Sequence, residues 1–479
     1  MAATRTRRTA AVERAYVDRL PGALLQSVFL RLPPDARARA ACVCRAWRDV
    51  ASHPATWTQL NLTRAGGLTC TLNPKRILRR LAPRLTQLLE LRLPAPPLRA
   101  NDVAPPGCTP ADALRAAVAL LRSLARLRGP DALALRALHL VGALPLRRGD
   151  PAVAAECEAA LRAVLAEAPR VAVRVDTLEC DPALGVSLFA APSRLRVRRV
   201  RWLCTPGPDG EADAPREEFI KALQRHASLN ALTVDERGGA LTPRLMSRLV
   251  NLALRRRLVA LELAGLSLAF LARPMQQLAR LLRDTASLRR LLLERDVRSA
   301  YSDEGVALCA NALRENATLS HLELCCLGPA WSLVAPAVCD ALAGHPTVTS
   351  LLLWEDLVAG FRVDLSALDA ALARLLCANA PSLTRLEIHF RIVAPGQPPL
   401  ALPLTFAALA GNTQLRALEV SGLSTSHAFV RRSVLPAVRA NTALRQLTLC
   451  FHGELDAHVH RALAEAMRHL TPFVRERCE

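Results

Sequence analysis

Residues 319–354 read "LSHLELCCLGPAWSLVAPAVCDALAGHPTVTSLLLW", with one six-residue pattern, LxxLxL, at both ends and Val replacing its first Leu at 348. The pattern recurs as "LNALTV" from Leu229, "LVALEL" from Leu258 and "LRRLLL" from Leu288. It continues as "LTRLEI" from Leu383, "LRALEV" from Leu415 and "LRQLTL" from Leu444. The eight copies are spaced by 29, 30, 31, 29, 35, 32 and 29 residues. Side chains alternate across a strand, so the fourth and sixth residues of each copy point one way and the third and fifth the other. Between copies lie Ala/Leu-rich helical segments such as "EGVALCANALREN" and "DLSALDAALARLLCANA". The unit is therefore strand, loop, helix, loop. Stacked units of this kind form a solenoid, with parallel strands lining a concave face and helices on the convex face.

Several helical segments stop at Asn or Gly just before the next strand, as in "ENATL" (315–319), "GNTQL" (411–415) and "ANTAL" (440–444). Asn tolerates the left-handed backbone that closes a helix, so these asparagines are expected as C-terminal caps. The insert "VAPGQPPLALP" accounts for the 32-residue interval, and nothing in the sequence accounts for the 35-residue one. Upstream the pattern degrades. "LTQLLELRL" from Leu85, "LALRALHL" from Leu133, "VDTLEC" from Val175 and "LRVRRVRWL" from Leu195 read as further strands separated by Pro-rich loops. Residues 61–225 are taken as diverged repeats ahead of the regular ones at 226–479; a separate small domain is the alternative.

The LxxLxL strand with its helical return resembles the leucine-rich repeat family, of the longer ribonuclease-inhibitor-like type. That resemblance implies an α/β solenoid. The family usually carries Asn or Cys three positions after the sixth residue of the motif, where its side chain bonds the turning backbone. Here those places hold Leu266, Asp296, Leu327, Asp356 and Leu423. An Asn ladder is not expected there, so the turn must be satisfied in some other way and the curvature is expected to be irregular.

Composition narrows the function classes. Half of the 479 residues are hydrophobic (51%) and only 4% are aromatic, so Leu, Ala and Val must build the core. The net charge of +21 is almost entirely Arg, because Lys75 and Lys221 are the only lysines. Ile is scarce too, with only Ile77, Ile220, Ile388 and Ile392, a bias that GC-rich coding imposes whatever the function. The arginines are spread along the chain without aromatic interleaving, which argues against nucleic acid as the partner. No run of eighteen apolar residues escapes Arg or Pro, so no membrane span is expected. The opening "MAATRTRRTAAVERA" has no apolar core like that of a secretory signal. Its Arg/Thr/Ala content is shared with mitochondrial presequences, but its helix-compatible part is short. We read residues 1–15 as a basic flexible tail and expect a cytoplasmic or nuclear protein.

Fourteen cysteines are then expected as reduced thiols. Cys42/Cys44 and Cys325/Cys326 lack zinc-ligand spacing and read as small buried hydrophobes. His139, His321 and His389 fall in separate strands with no fixed carboxylate or Cys partner. There is no phosphate-binding Gly loop and no nucleophile elbow. No catalytic residue, metal or cofactor is expected.

The second informative stretch is "RLPGALLQSVFLRLPPDARARAACVCRAWRDVASHPATW", residues 19–57. Leu24, Leu25, Val28, Phe29 and Leu32 follow helical spacing, with Pro21 expected in the first turn. "PP" at 33–34 breaks that helix, Asp35 is expected to cap a second, and "RAWRDVAS" extends it or begins a third. Three such helices cannot hide all of this apolar surface from water, and domains below roughly 40 residues need a metal, disulfides or a partner. With no metal or disulfide pattern, a partner is the economical answer.

These residues resemble an F-box: Leu-Pro opening, LL, VF, RL, then V-C-R-x-W-R and a closing Trp. We place that domain at 16–60. The resemblance implies docking onto a Skp-type adaptor and, through it, a cullin-RING ubiquitin ligase. It implies that Leu20, Pro21, Leu24, Leu25, Val28, Phe29, Leu32, Cys44, Trp47 and Trp57 form the adaptor contact or its immediate support. The second helix, usually acidic, is here the basic "ARARAA". A helical cap on the first repeat is the alternative.

If the solenoid reading holds, positions three, five and seven of each motif face the concave surface, where an unidentified protein target would bind. Glu262, Glu323, Glu387 and Glu419 share one position, and Leu292, Leu352 and Trp354 interrupt that polar column with apolar surface. An exposed Trp beside aliphatics has the composition of a binding hot spot; the alternative is a Trp folded over a neighbouring loop. The glutamates favour a partner with basic groups, or else form a solvated face paired with Arg385 or Arg416. The whole reads as a non-catalytic substrate receptor of a ubiquitin ligase, with a repeat scaffold unconnected to ubiquitin as the alternative.

Overall fold

The structure, a computed structural model, describes residues 21–53 (except 33), 59–61, 90–94, 135–145, 151–167, 172–190, 195–203, 213–235, 242–266, 272–295, 302–325, 331–357, 365–392, 399–452, 455–467 and 471–475, with single helical residues near 115–122. The chain divides into two compact units, Met1–Val200 and Arg201–Glu479. Among the described residues, no helix is long and apolar enough to cross a membrane.

The first unit begins with three short helices: α1 (Gly22–Arg31), α2 (Pro34–Ala40) and α3 (Arg45–Ser52). Pro21 precedes α1 as its N-cap rather than lying in its first turn. Asp35 falls inside α2, because Pro34 is already helical; it is not the cap expected. Strands β1 (Gln59–Asn61), β2 (Glu90–Pro94), β3 (Ala137–Pro145) and β4 (Ala172–Cys180) then pair in parallel, each with the next. Helices α4 (Pro151–Glu167) and α5 (Pro182–Ala190) flank β4 in the chain, and β5 (Leu195–Leu203) runs across the division. The degraded upstream motifs are thus strands. The short β1 had no sequence signal.

The second unit is the regular repeat. After α6 (Asp213–Arg225) come β6 (Ala231–Asp235), α7 (Pro243–Arg256), β7 (Ala260–Leu266), α8 (Ala272–Asp284), β8 (Arg290–Arg295), α9 (Asp303–Glu315), β9 (His321–Cys325), α10 (Trp331–Leu342) and β10 (Ser350–Leu357). They are followed by α11 (Leu365–Cys377), β11 (Arg385–Ile392), α12 (Pro403–Gly411) and β12 (Ala417–Ser424). Next, α13 (His427–Phe429) runs through a π segment, Val430–Val434, into α14 (Leu435–Ala440). The unit closes with β13 (Gln446–His452), α15 (Ala457–Ala466) and β14 (Thr471–Arg475). All eight LxxLxL copies are strands, and β14 is a ninth that the pattern did not announce.

Parallel pairing runs in one register. Leu232, Leu261, Leu291, Leu322, Leu351, Leu386, Leu418 and Leu447 are successive Cα partners and all are buried. The next inward position repeats this with Val234, Leu263, Leu324, Leu353, Ile388, Val420 and Leu449. Consecutive helices pack side by side, as α7 with α8 and α10 with α11. The sparse aromatics seal particular joints. Trp331, wholly buried at the start of α10, meets Phe390 of β11 edge to face at 5.8 Å, and Phe406 meets Phe429 at 5.9 Å.

Entry into each strand is where backbone groups would otherwise be orphaned. Asn316, Asn412 and Asn441 close their helices, but in extended rather than left-handed backbone (φ −71°, −77° and −77°). Their side chains explain why. Asn441 is buried; its Nδ2 donates to Leu409 O (2.6 Å) and Asn412 O (2.9 Å), while its Oδ1 accepts from Ala443 N and Leu444 N, both at 2.9 Å. Asn412 does the same with Leu376 O, Gln414 N and Leu415 N, and Asn316 with Leu282 O, Thr318 N and Leu319 N. Each side chain ties its own turn to the preceding unit. The Asn ladder absent after the strand is therefore present before it.

His345 holds the equivalent place one unit after Asn316. One ring nitrogen, Nε2, meets Leu313 O at 3.0 Å, and Nδ1 accepts from Thr347 N and Val348 N. Burial lowers its pKa from the ordinary value. Left-handed backbone occurs instead at Asn379 (φ 47°) and Arg257 (φ 52°).

Both irregular intervals now have an origin. Helix α10 begins ten residues after β9 does (Trp331 after His321), whereas α11 begins fifteen after β10 (Leu365 after Ser350). The long interval is spent between strand and helix. In the other, Leu400 bridges Leu423 in parallel, beside Gly422 at φ 81°. A Cβ on Gly422 would run into Phe390 O. Helix α12 is capped from its neighbour: Asp369 of α11 accepts from Leu404 N, Thr405 N and Thr405 Oγ1 at 2.9, 2.8 and 2.6 Å.

Asn441→Ala would strand two buried N–H and two buried C=O groups, at about 1–3 kcal/mol for each group left without a partner. A loss of about 4 kcal/mol or more in denaturant unfolding is expected, and His345→Asn, which can reproduce the bonds, should cost far less. The lowered pKa of His345 means that the unfolded chain takes up a proton the folded one refuses. Stability is therefore full above pH 6.5 and falls as the solution is acidified below it, a slope that His345→Asn should flatten in thermal scans.

Candidate functional site

Two surfaces carry the residues singled out by sequence. The first is the helical bundle at the N-terminus. Leu25 and Phe29, four residues apart on α1, point inward with Ala40 and Ala51, and Leu32, Ala41, Trp47 and Val50 pack around them. Phe29 is 0% exposed and meets the Trp47 ring edge to face at 5.5 Å. Leu24 and Val28, one residue earlier in the same i, i+4 spacing, point outward at 56% and 48% exposure. Leu30 and Val43, at 40% and 65%, lie open as well. Four of the seven most exposed large apolar side chains among the described residues fall within this bundle. A half-covered Leu or Val gains about 1 kcal/mol when burial is completed, so covering all four would contribute several kcal/mol.

The joint between α1 and α2 is made by Arg37, from the basic segment "ARARAA". Its guanidinium is buried, with Nε donating to Leu32 O and Nη2 to Leu30 O, each at 2.8 Å. Those carbonyls lie at the C-terminal end of α1, where the helix dipole favours a cation. Burial lowers the Arg37 pKa, the cost of this position. Sequence reasoning read this arginine only as a basic residue in an unusual helix. A signal was available in its place, a few residues after the helix-breaking prolines and within reach of the carbonyls they expose.

Leu25 and Phe29 take the interior place, the supporting one of the two roles expected of them, because the three helices are large enough to close one apolar seam. One sequence expectation changes here. Cys42 is exposed, not buried, since it lies in the turn after α2; Cys44 is half-buried as the N-cap of α3, and Cys325 is buried. Leu20 and Trp57 lie outside the described residues, as does Cys326.

The second surface is the outer face of β7–β13. Glu262, Leu292, Glu323, Leu352, Glu387 and Glu419 are successive register partners, all half-buried. Trp354 is 41% exposed, with its ring 6.1 Å from that of His389, its partner on β11. Position seven is not open throughout, for Ala264 and Cys325 are buried between larger neighbours. Arg290 bridges Glu323 at 2.7 Å, Arg385 bridges Glu387, and Thr233 Oγ1 donates to Glu262 at 2.8 Å. Arg416, considered as a partner for these glutamates, instead donates to Ala443 O.

The histidines are better partnered than expected. His139 Nε2 lies 2.8 Å from Asp176. His389 has Ser421 Oγ at 2.9 Å on Nδ1 and the Glu387 carboxylate at 3.6 Å from Nε2. Hydrogen bonding to His389, then to Arg385, holds the Glu387 carboxyl below its usual range. The missed signal was register, which brings residues 32 apart into contact. Hydroxyl, imidazole and carboxylate in a row suit nucleophilic chemistry only with donors for a developing oxyanion. Ser421 lies in a strand paired on both sides, so its backbone groups serve the ladder. His389 thus links β11 to β12 through its bond to Ser421, with Glu387 of its own strand in ion-pair contact. Among the described residues, no group of His, Cys, Asp and Glu could hold a metal.

A family model described as F-box-like matches residues 17–63. The match covers α1, α2 and α3 and reaches past β1. The segment that leaves its apolar residues open is thus an F-box-like domain, followed by a parallel-strand repeat.

The two faces of α1 should separate in experiment. Phe29→Asp puts a charge into the bundle interior, and limited proteolysis of the full chain is expected to cut within residues 21–53. Leu24→Asp is expected to leave that segment as resistant as in the parent.

Proposed function

We propose that this chain is the substrate-recognition subunit of a Skp–cullin–F-box ubiquitin ligase. Its F-box-like domain docks on a Skp-type adaptor. Its strand–helix units, read as leucine-rich repeats, hold a target protein. The observation that carries this reading is the exposed set Leu24, Val28, Leu30 and Val43, concentrated in the segment that matches the F-box-like model. A small bundle that leaves so much apolar surface in water is stabilised when a second polypeptide covers it. F-box proteins are generally non-catalytic adaptors, and the chain does no chemistry in this reading. It raises the effective concentration of target lysines near a charged ubiquitin-conjugating enzyme. The site of work is cytoplasmic or nuclear.

A repeat scaffold without a ligase link is the second reading, favoured by the developed strand face, which needs no adaptor to bind a protein. Adaptor capture separates the two. The full chain is expected to co-purify with a Skp-type adaptor, and Leu24→Asp/Val28→Asp to lose it at least tenfold while keeping the parent's thermal transition. Undiminished capture by that variant would remove those residues from the contact. No capture by the parent chain would favour the scaffold.

A further inference from the structure

The chain carries a net charge of +21, yet the outer face of β7–β13 has the opposite sign. At positions three, five and seven of its motifs stand five glutamates (262, 294, 323, 387 and 419) and two arginines (290 and 385), and the exposed Arg391 follows farther along β11 as the partner of Asp356. Arg290 and Arg385 are already engaged, with Glu323 and Glu387. Glu419 is half-buried and makes no hydrogen bond or ion pair among the described residues. Its register partner is Glu387, so two carboxylates stand side by side at strand spacing. A shallow surface depression over them is bordered by Arg385, Ala417 and Gln446. One strand further on, Leu352 and the exposed Trp354 present apolar surface beside Glu387 and His389.

An exposed aromatic and a half-buried aliphatic side chain near one uncompensated carboxylate, Glu419, are complementary to a cation on an apolar stem. A lysine or arginine side chain lays its methylenes on apolar surface and keeps its charge at the tip. A phosphate-bearing or acidic partner meets repulsion instead. Resting on the reading of the repeats as the part that holds the target, we propose that this face receives an extended, lysine- or arginine-bearing segment of a protein. One cationic side chain sits between Glu387 and Glu419, and an apolar neighbour lies against Leu352 and Trp354.

The test uses the full chain and two fluorescein-labelled peptides, one with Arg alternating with Leu and the other with Glu in place of every Arg. Fluorescence anisotropy is expected to show the Arg peptide binding at least tenfold tighter, with affinity falling as salt is added. Glu419→Arg is expected to lose most of that binding. It should fold as the parent does, because Glu419 has no intramolecular bond to lose. Trp354→Ala should weaken binding several-fold, and Asp456→Asn, on the exposed start of α15, should leave it unchanged. Equal affinity for the two peptides, or an Arg peptide indifferent to Glu419→Arg, overturns the proposal. The ligase reading fails separately: adaptor capture with no preference for the Arg peptide removes only the present inference, and preference for that peptide without adaptor capture removes only the ligase.

Discussion

A chain that returns every thirty residues or so to start another parallel strand must turn inside its own interior, and each turn brings unpaired N–H and C=O groups with it. A buried polar side chain three residues before the motif answers this constraint at Thr285, Asn316, His345, Asn412 and Asn441. Asn316, Asn412 and Asn441 each accept from two N–H groups of their own turn and donate to a carbonyl of the unit before. An amide suits the task because it presents donor and acceptor from one plane. Imidazole does so as well, which is why His345 can stand in the series while its ring remains neutral. Leu-on-Leu burial supplies the bulk of the stabilisation, but it has no direction. The amide bridges fix where β9, β12 and β13 begin, and hence which residues meet across those strands.

That register decides the chemistry of the outer face. A slip of one residue would bury the glutamates and expose the leucines. With register held, Arg290 reaches Glu323 and His389 lies between Ser421 and Glu387, while Glu419 is left uncompensated. Seen in sequence, the glutamates were a column of one charge with two arginines as conceivable partners. The structure divides that column: some members are satisfied and one is not. Arg416 was drawn to a backbone carbonyl because it precedes the strand and sits at the turn rather than on the face.

The N-terminal bundle obeys a different limit. Three helices of ten, seven and eight residues close one small interior and no more. Phe29 and Leu25 take the available space, and Leu24 and Val28 on the neighbouring stripe remain outside. Arg37 completes the bundle by bonding the carbonyls that end α1. Its basic neighbours set this segment apart from the acidic second helix that the resemblance implied.

Periodicity was enough to determine the repeating strand–helix unit, its parallel sense and the identity of its inward leucines, because alternation and spacing are local properties of the chain. The eight motifs and the three short helices were legible for that reason. What only the tertiary structure decided are the bonds between units: the extended amide bridges, the Asp369 cap on a neighbouring helix, the Gly422 contact with Phe390, and the pairing of Glu387 with His389. These join residues brought together by register or helix packing, and no pattern in a linear chain encodes which polar side chain will find its partner first.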